Sequence, residues 1–531
     1  MAYKINFNKK GWHYAEKIFF LLAALASLWP ILSTPVFAML DAPAHLYNTK
    51  LLYELLIKHN ETVKQYYEFN HLIVPNWTGH ILMLFLMLFF NAVWTQKIFI
   101  IIYLVIFPYS FRYLISSNKG NITLSYFAFP LSYSYFFFLG FFNFLIGLPI
   151  TLFGMAYWMR NSSAGKLKNY LILALFSLLI FFSHPILYAV WCAFIALFFL
   201  YESAYCLYDK KSFKELFKST VCVVVAILPS LILAMLYLIN QPKDELTIKL
   251  KSLELLTWII NIRSLLVFSM DINELKYTYF LLYSLIGILI SGLTYSVYRF
   301  IKKQDKSILQ VITKLFWFDL SILILILYFI LPDESNGGGY ISSRLNLLFF
   351  IFLVLGFSQL KQFKLINILF VIAVLFAFNT QLFYFNSIMK PLNKNAEAVI
   401  KLSDYIEEGK TLISIDKSQN WMQGHLCNYV GANKLIFTQE NYEASKRYFP
   451  LVWNMKARPE LYFGEVKSDN TCVYLMPVEN KNKIEADYVM LISNYPINQE
   501  CDSLINSSLN NYYKLLYKSD NEFVKLFFKK I

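Results

Sequence analysis

Asp41 and His45 stand four residues apart in MLDAPAHLYN, residues 39–48, directly after the first long apolar stretch of the chain. A carboxylate at a membrane boundary can ligate Mg²⁺ or Mn²⁺, or act as a general base. If a helix begins after Pro43, Asp41 and His45 face the same cleft. The competing reading makes Asp41 the cap of that helix, with Pro43 in its first turn. Other polar groups gather at the same ends of apolar stretches. His80 lies near the end of the second stretch, and His184-Pro185 sits at a turn between two later ones. PDESNGGGYISSR (332–344) brings Asp333 and Glu334, then Gly337-Gly338-Gly339, then Arg344 at the start of the next stretch. Such glycines let a loop close over a ligand, and an arginine there can clamp a lipid phosphate. The bland alternatives are a histidine that satisfies loop carbonyls and an arginine that snorkels to the surface. These residues are expected to form one substrate-binding face with Asp41 and His45. Asp319 stands alone in WFDLSILIL. A carboxylate in an apolar segment couples protons or bonds to a neighbouring helix. Asn143, in LGFFNFLIGLP, is expected to bond across helices near a break.

The elements that must position these groups are membrane helices. The chain has 531 residues, 57% of them hydrophobic, 18% aromatic and only 15% charged, with a mean hydropathy of +0.47. An ordinary soluble domain carries about 25% charged residues. That balance excludes a cytosolic enzyme, a disordered chain and a coiled coil. A spanning helix needs roughly 20 apolar residues. Candidates fall at about 17–40, 77–95, 97–115, 122–140, 141–160, 168–184, 186–206, 217–240, 277–300, 309–331, 345–360 and 364–384.

The formal charge of +14 is unevenly placed. Residues 385–531 hold 18 Lys/Arg and 17 Asp/Glu, so the excess lies between the apolar stretches. That is the signature of cytosolic loops, and it argues against a nucleic-acid partner. Lys302, Lys303 and Lys306 make one connection cytosolic, and Lys361 with Lys364 another. Residues 41–76 and 385–531 are then outside. A cytosolic start (1–16) and an outside end need an odd number of crossings, but twelve stretches are present. A broken or re-entrant helix is therefore expected within 77–115 or 122–160, with Pro108, Pro130, Gly140, Gly147 and Pro149 as break points. The expected fold is a polytopic α-helical membrane protein of 11–13 crossings over 17–384.

Two polar pieces remain. In 41–76, Tyr47, Leu51, Leu52, Leu55 and Leu56 share a helical face, so surface helices along the membrane are expected, with a second one over 60–69. In 385–531, 411–415, 473–476 and 488–493 read as strands, 513–528 as a hairpin and 396–408 as a helix, giving a small extracytoplasmic α/β domain. Cys427, Cys472 and Cys501 allow one disulfide there with one thiol left over. No P-loop, GxSxG, HExxH or dinucleotide fingerprint is present. An enzyme on the outer face must therefore draw on an activated donor already in the membrane.

The layout resembles the GT-C superfamily of integral-membrane glycosyltransferases. The motifs DAPAHL, GFFNFLIGLP, FFSHP and SSRLNLLF look like those of a bacterial group of GT-C-like membrane proteins. The resemblance implies a bacterial inner-membrane enzyme with a first outer loop bearing the catalytic acid. It implies a polyprenyl-phosphate-linked sugar donor and a glycan, lipid or protein acceptor. By position Asp41 matches the catalytic acid, and would also be the ligand of any divalent cation. The paired acids frequent in the family are absent, because Ala42 and Pro43 follow. Two other classes stay open: a flippase of lipid-linked glycans with Asp319 as its coupling residue, and a non-catalytic assembly protein that presents 385–531.

Overall fold

The computed structural model describes residues 9–162, 165–208, 213–241, 247–268, 272–301, 308–334, 338–454, 486–497 and 499–530. Among the described residues, nine helices are long and apolar enough to cross a membrane, and three shorter apolar helices accompany them. Phe, Ile and Tyr are mediocre helix formers in water, but hydrocarbon leaves the backbone no other partner than itself. The C-terminal sheet sits over one end of this bundle, called the domain end below.

The parity problem has a physical answer. Thr78–Met87 is ten residues long, about 15 Å, against a core of about 30 Å. The chain enters it at the domain end, where the Trp77 amide donates to the Phe182 carbonyl at 2.8 Å. The helix that follows it, Ala92–Ser117, also starts at the domain end: Gln96 donates to Phe37 O and pairs with Tyr429. Thr78–Met87 therefore dips into the bundle without crossing. Its Phe85, Leu88, Phe89 and Phe90 end is exposed apolar surface. The nine spanning-length helices and two shorter apolar ones, Leu167–Ser183 and Leu315–Ile330, make up the rest of the bundle among the described residues.

The segment Ile122–Leu139 does cross, but in three short pieces: Ile122–Phe127, Ala128–Ser132 and Tyr135–Leu139. Asn121 pairs with Ser358 and Asn367 at the far end, and Leu139 O accepts from Asp41 N at the domain end. Broken backbone in a membrane survives only where protein satisfies it. Gln381, fully buried, donates to both the Pro130 and Tyr133 carbonyls at 3.3 Å. Pro108 and Pro149, by contrast, lie inside continuous helices.

The first-loop helix is covered by protein on its apolar face. Ala42–Leu56 is a helix, as its apolar face predicts, but Tyr47, Leu51 and Leu52 are buried against the C-terminal domain. Asn48 and Asn441 exchange reciprocal amide hydrogen bonds at 2.9 and 3.2 Å. After a short helix, Glu61–Tyr66, strand β1 (Tyr67–Phe69) pairs antiparallel with a strand of the domain, Leu451–Trp453. The two polar pieces are thus one layered unit, with the first loop sandwiched between bundle and domain.

The domain sheet takes β2 (Thr411–Asp416), β3 (Phe437–Thr438), β5 (Tyr488–Ile492), β6 (Tyr513–Lys518) and β7 (Val524–Lys529), with Leu451–Trp453 as β4. Its order is β3-β2-β5-β7-β6, parallel across β3-β2-β5 and antiparallel across β5-β7-β6. The expected strand at 473–476 lies outside the described residues. The last spanning helix runs unbroken from Lys364 to Lys401, so Phe385 falls inside a helix and the sheet begins at Thr411. Cys501 is disulfide-bonded, while Cys427 is a buried free thiol.

Candidate active site

Asp41 occupies the cap position of Ala42–Leu56 but makes no side-chain cap hydrogen bond. Its carboxylate is free for other work. Backbone bonds fix it instead: Leu40 N donates to Phe138 O at 3.1 Å and Asp41 N to Leu139 O at 2.9 Å. Gly140 ends the broken segment with φ +72°, and a Cβ there would sit 2.7 Å from Ala42 N. Only glycine allows both the left-handed backbone and that close approach. The Asp41 side chain, nearly buried, accepts from the Tyr442 hydroxyl and lies 3.6 Å from His425 Nε2. Burial raises its pKa, and His425, His45 and Tyr442 offset only part of that rise. A carboxylate tuned upward is a better proton acceptor.

His45, His80 and Glu443 form a buried cluster beside it. His45 Nδ1 is 2.6 Å from Glu443 Oε1, and His80 Nε2 is 3.0 Å from Glu443 Oε2. Burial works to raise the Glu443 pKa, but the two imidazoles outweigh it and hold the carboxyl down at about 2. Burial likewise opposes the charge on His45, and Glu443 overcomes it, so its pKa is raised. The expected bond of Asn143 is present: its Oδ1 accepts from Gly79 N at 2.7 Å and holds the helix start that carries His80. A second pair buttresses the Asp41 side. His425 stacks on Tyr442 with ring centroids 4.5 Å apart, and its Nδ1 is 2.5 Å from Glu440 Oε1.

Asp41 and His45 line a cavity of about 600 Å³ between bundle and domain, shared with His184, Asp333, Glu334 and Arg344. Arg344 does not snorkel. It is 9% exposed and lies over the rings of Phe136, Phe141 and Phe144 at 5.6, 4.9 and 5.7 Å. One guanidinium nitrogen donates to Gly339 O at 2.5 Å, and the buried Nε has no partner among the described residues. Asp333 partly serves the backbone, accepting from Ser342 N at 2.9 Å. Glu334 is exposed and bridges to Ile248. His184 accepts from Ile186 N at 3.2 Å, and burial with Arg344 nearby pushes its pKa well below the usual value. Ser335 to Gly337, and so the first of the three glycines of the expected flexible run, lie outside the described residues.

A second cavity of about 350 Å³, which shares Tyr340 with the first, is lined by Leu40, Tyr135, Arg263 and Trp421 among others. Arg263 lies over Tyr135 and Trp258 at 4.5 and 5.3 Å. It follows Ile262, a β-branched residue held at φ +48°. Such backbone is costly and persists where the surroundings enforce it. Ser264 N bonded to Asn346 Oδ1 at 3.1 Å is part of that enforcement.

Of the sequence-derived candidates, Asp41, His45, His184, Asp333, Glu334 and Arg344 line the first cavity, while His80 stands behind its wall. Asp319 is elsewhere, midway along the helix Ile308–Ile330, and accepts a hydrogen bond from Tyr201 of a neighbouring helix. The residues that sequence reasoning missed, His425, Glu440, Tyr442 and Glu443, all come from the C-terminal domain. The one available signal was His425, the only one of seven histidines within 385–531.

Bundle, broken segment and sheet domain together define a polytopic α-helical membrane protein with a small C-terminal sheet domain. Among solved structures, the chain is similar to ArnT from Cupriavidus metallidurans bound to undecaprenyl phosphate. That match has a TM-score of 0.53 over 98% of each chain, at 9% sequence identity. The apo state of the same ArnT gives a TM-score of 0.48 at 8% identity, over 97% of this chain and 98% of that one. No protein-family model and no curated protein sequence matches.

Proposed function

We propose that the chain is a membrane glycosyltransferase that moves a sugar from a polyprenyl-phosphate-linked donor to a glycan, lipid or protein acceptor. The observation that carries this reading is one cavity that holds a buried carboxylate not spent on capping its helix and a buried, under-bonded guanidinium. The fold likeness to a protein solved with undecaprenyl phosphate supports the donor class. In the proposed step Asp41 takes the proton of the acceptor hydroxyl. The new bond from that oxygen to the sugar carbon forms as the bond from sugar carbon to phosphate oxygen breaks. The electron pair leaves on the polyprenyl phosphate, and Arg344 holds the resulting anion. Guanidinium suits this task because it stays charged and donates two parallel hydrogen bonds. The second cavity, with its arginine and aromatic walls, is the proposed acceptor entry.

The proposed setting is a bacterial inner membrane with the sheet domain on the extracytoplasmic side. A carrier driven by Asp319 is the alternative reading; that carboxylate is bonded to Tyr201 and does not line the cavity. Asp41→Asn tests the reading, because it keeps the shape and removes the base. General-base help is worth about 10²–10⁴-fold, and a loss of that size in sugar transfer by folded protein is expected. A variant as fast as wild type would remove Asp41 from the mechanism.

A further inference from the structure

The His45–His80–Glu443 cluster has the donor set and the spacing of a metal site. His80 Nδ1 lies 3.0 Å from the Asn76 carbonyl, closer than the Asn143 amide at 3.4 Å. A carbonyl can only accept, so Nδ1 carries the proton, and a neutral ring then presents a lone pair at Nε2. That lone pair faces Glu443 Oε2, another acceptor, at 3.0 Å. His45 Nδ1 and Glu443 Oε1 repeat the pattern. They are 2.6 Å apart and buried, yet each lacks a hydrogen bond of acceptable geometry. The ligand atoms of all three residues lie within 4.8 Å of one another, and the side chains are 4% exposed or less.

We propose that His45, His80 and Glu443 bind one divalent first-row transition-metal ion, zinc in the first instance. Two imidazoles and a carboxylate are the donor set such ions take, whereas Mg²⁺ and Ca²⁺ prefer oxygen alone. A ring nitrogen that donates to a backbone carbonyl is the usual outer support of a ligating histidine. The site differs from the one expected at Asp41, which is not among the converging ligands. Its ligands come from three places: the helix Ala42–Leu56, the dipping helix Thr78–Met87 and the domain turn Glu443–Ser445. The ion would therefore staple the domain to the bundle. It would also fix Tyr442, the neighbour of Glu443, against the Asp41 carboxylate. The proposal stands apart from sugar transfer, and its readouts do not use activity.

The test uses full-length protein purified in detergent without chelator, with metal content measured by mass spectrometry. About one zinc per chain is expected, and less than about a tenth of that in Glu443→Gln and His80→Gln. Chelation should lower the thermal midpoint of wild type by about 5 °C, with recovery on added Zn²⁺ but not Mg²⁺. That wild-type experiment decides the matter even if a variant fails to fold. Co²⁺ bands in the visible spectrum of wild type, lost in His80→Gln, would support the same ligands. A wild type with no bound metal and a midpoint unmoved by Zn²⁺ would overturn the proposal, leaving a proton-bridged cluster. Undiminished metal in both glutamine variants would overturn it equally.

Discussion

At the scale of single residues, the site depends on which polar groups are already spent. Asp41 sits where a cap would be and does not cap, whereas Asp333, which lines the same cavity, is spent on the Ser342 amide. Arg344 is buried among phenylalanines with one nitrogen unsatisfied, a costly state that an anion would relieve. His425 offers a pH test. Burial lowers its pKa, but Glu440 and Asp41 outweigh that and bring it to about 9 from 6.5. A group whose folded pKa is raised stabilises fully below the unfolded value and loses that contribution as pH rises through the folded one. Wild type should therefore lose thermal stability between about pH 6.5 and 9 more steeply than His425→Gln. Parallel melting curves for the two proteins over that range would show His425 to be uncharged throughout.

At the scale of elements, the decisive feature is the broken segment that delivers Gly140 to Asp41. Gly140→Ala meets both a left-handed backbone and a contact of 2.7 Å to Ala42 N. Gly165 has φ +58° but nothing within 4 Å of its would-be Cβ. Gly165→Ala should cost only the backbone term, roughly 1–2 kcal/mol. Gly140→Ala should cost more and also displace Asp41, which midpoints from thermal denaturation and a transfer assay would report; equal midpoints would remove Gly140 from the anchor. Much of this level was legible in sequence. Apolar length located the spanning helices, short apolar runs located β2 and β5, and a polar turn located the final hairpin. Parity exposed an irregularity in the first third without saying where. It could not, because Thr78–Met87 is as apolar as a spanning helix and differs only in length once its turn at Leu88–Asn91 is known. The first-loop helix was readable too, but not its burial. Its apolar face fits a lipid surface and a protein surface equally well, and only the partner, far along the chain, distinguishes them.

At the scale of the whole molecule, the active cavity is an interface. Bundle residues Asp41, His45 and Arg344 had signals of place, next to helix ends. Domain residues Tyr442 and Glu443 had none, because their role arises only when the domain folds back over the first loop. This long-range closure hides half of the site from local patterns. The same architecture makes a sidedness prediction from the charge distribution. A membrane-impermeant thiol reagent should label Lys410→Cys in intact cells and spare Lys361→Cys, with native thiols blocked beforehand. The reverse labelling would turn the domain inward and remove it from any extracytoplasmic acceptor.

The central claim is that the cavity beside Asp41 holds a polyprenyl phosphate through Arg344. Its most direct test needs no knowledge of the sugar: equilibrium binding of undecaprenyl phosphate to purified wild type, Arg344→Lys and Arg263→Lys. Losing charge-assisted hydrogen bonds worth about 1.5–3 kcal/mol predicts binding roughly 10–100-fold weaker in Arg344→Lys. Arg263→Lys, in the other cavity, should bind as wild type does. Equal affinities for wild type and Arg344→Lys, or no binding by wild type, would contradict the claim.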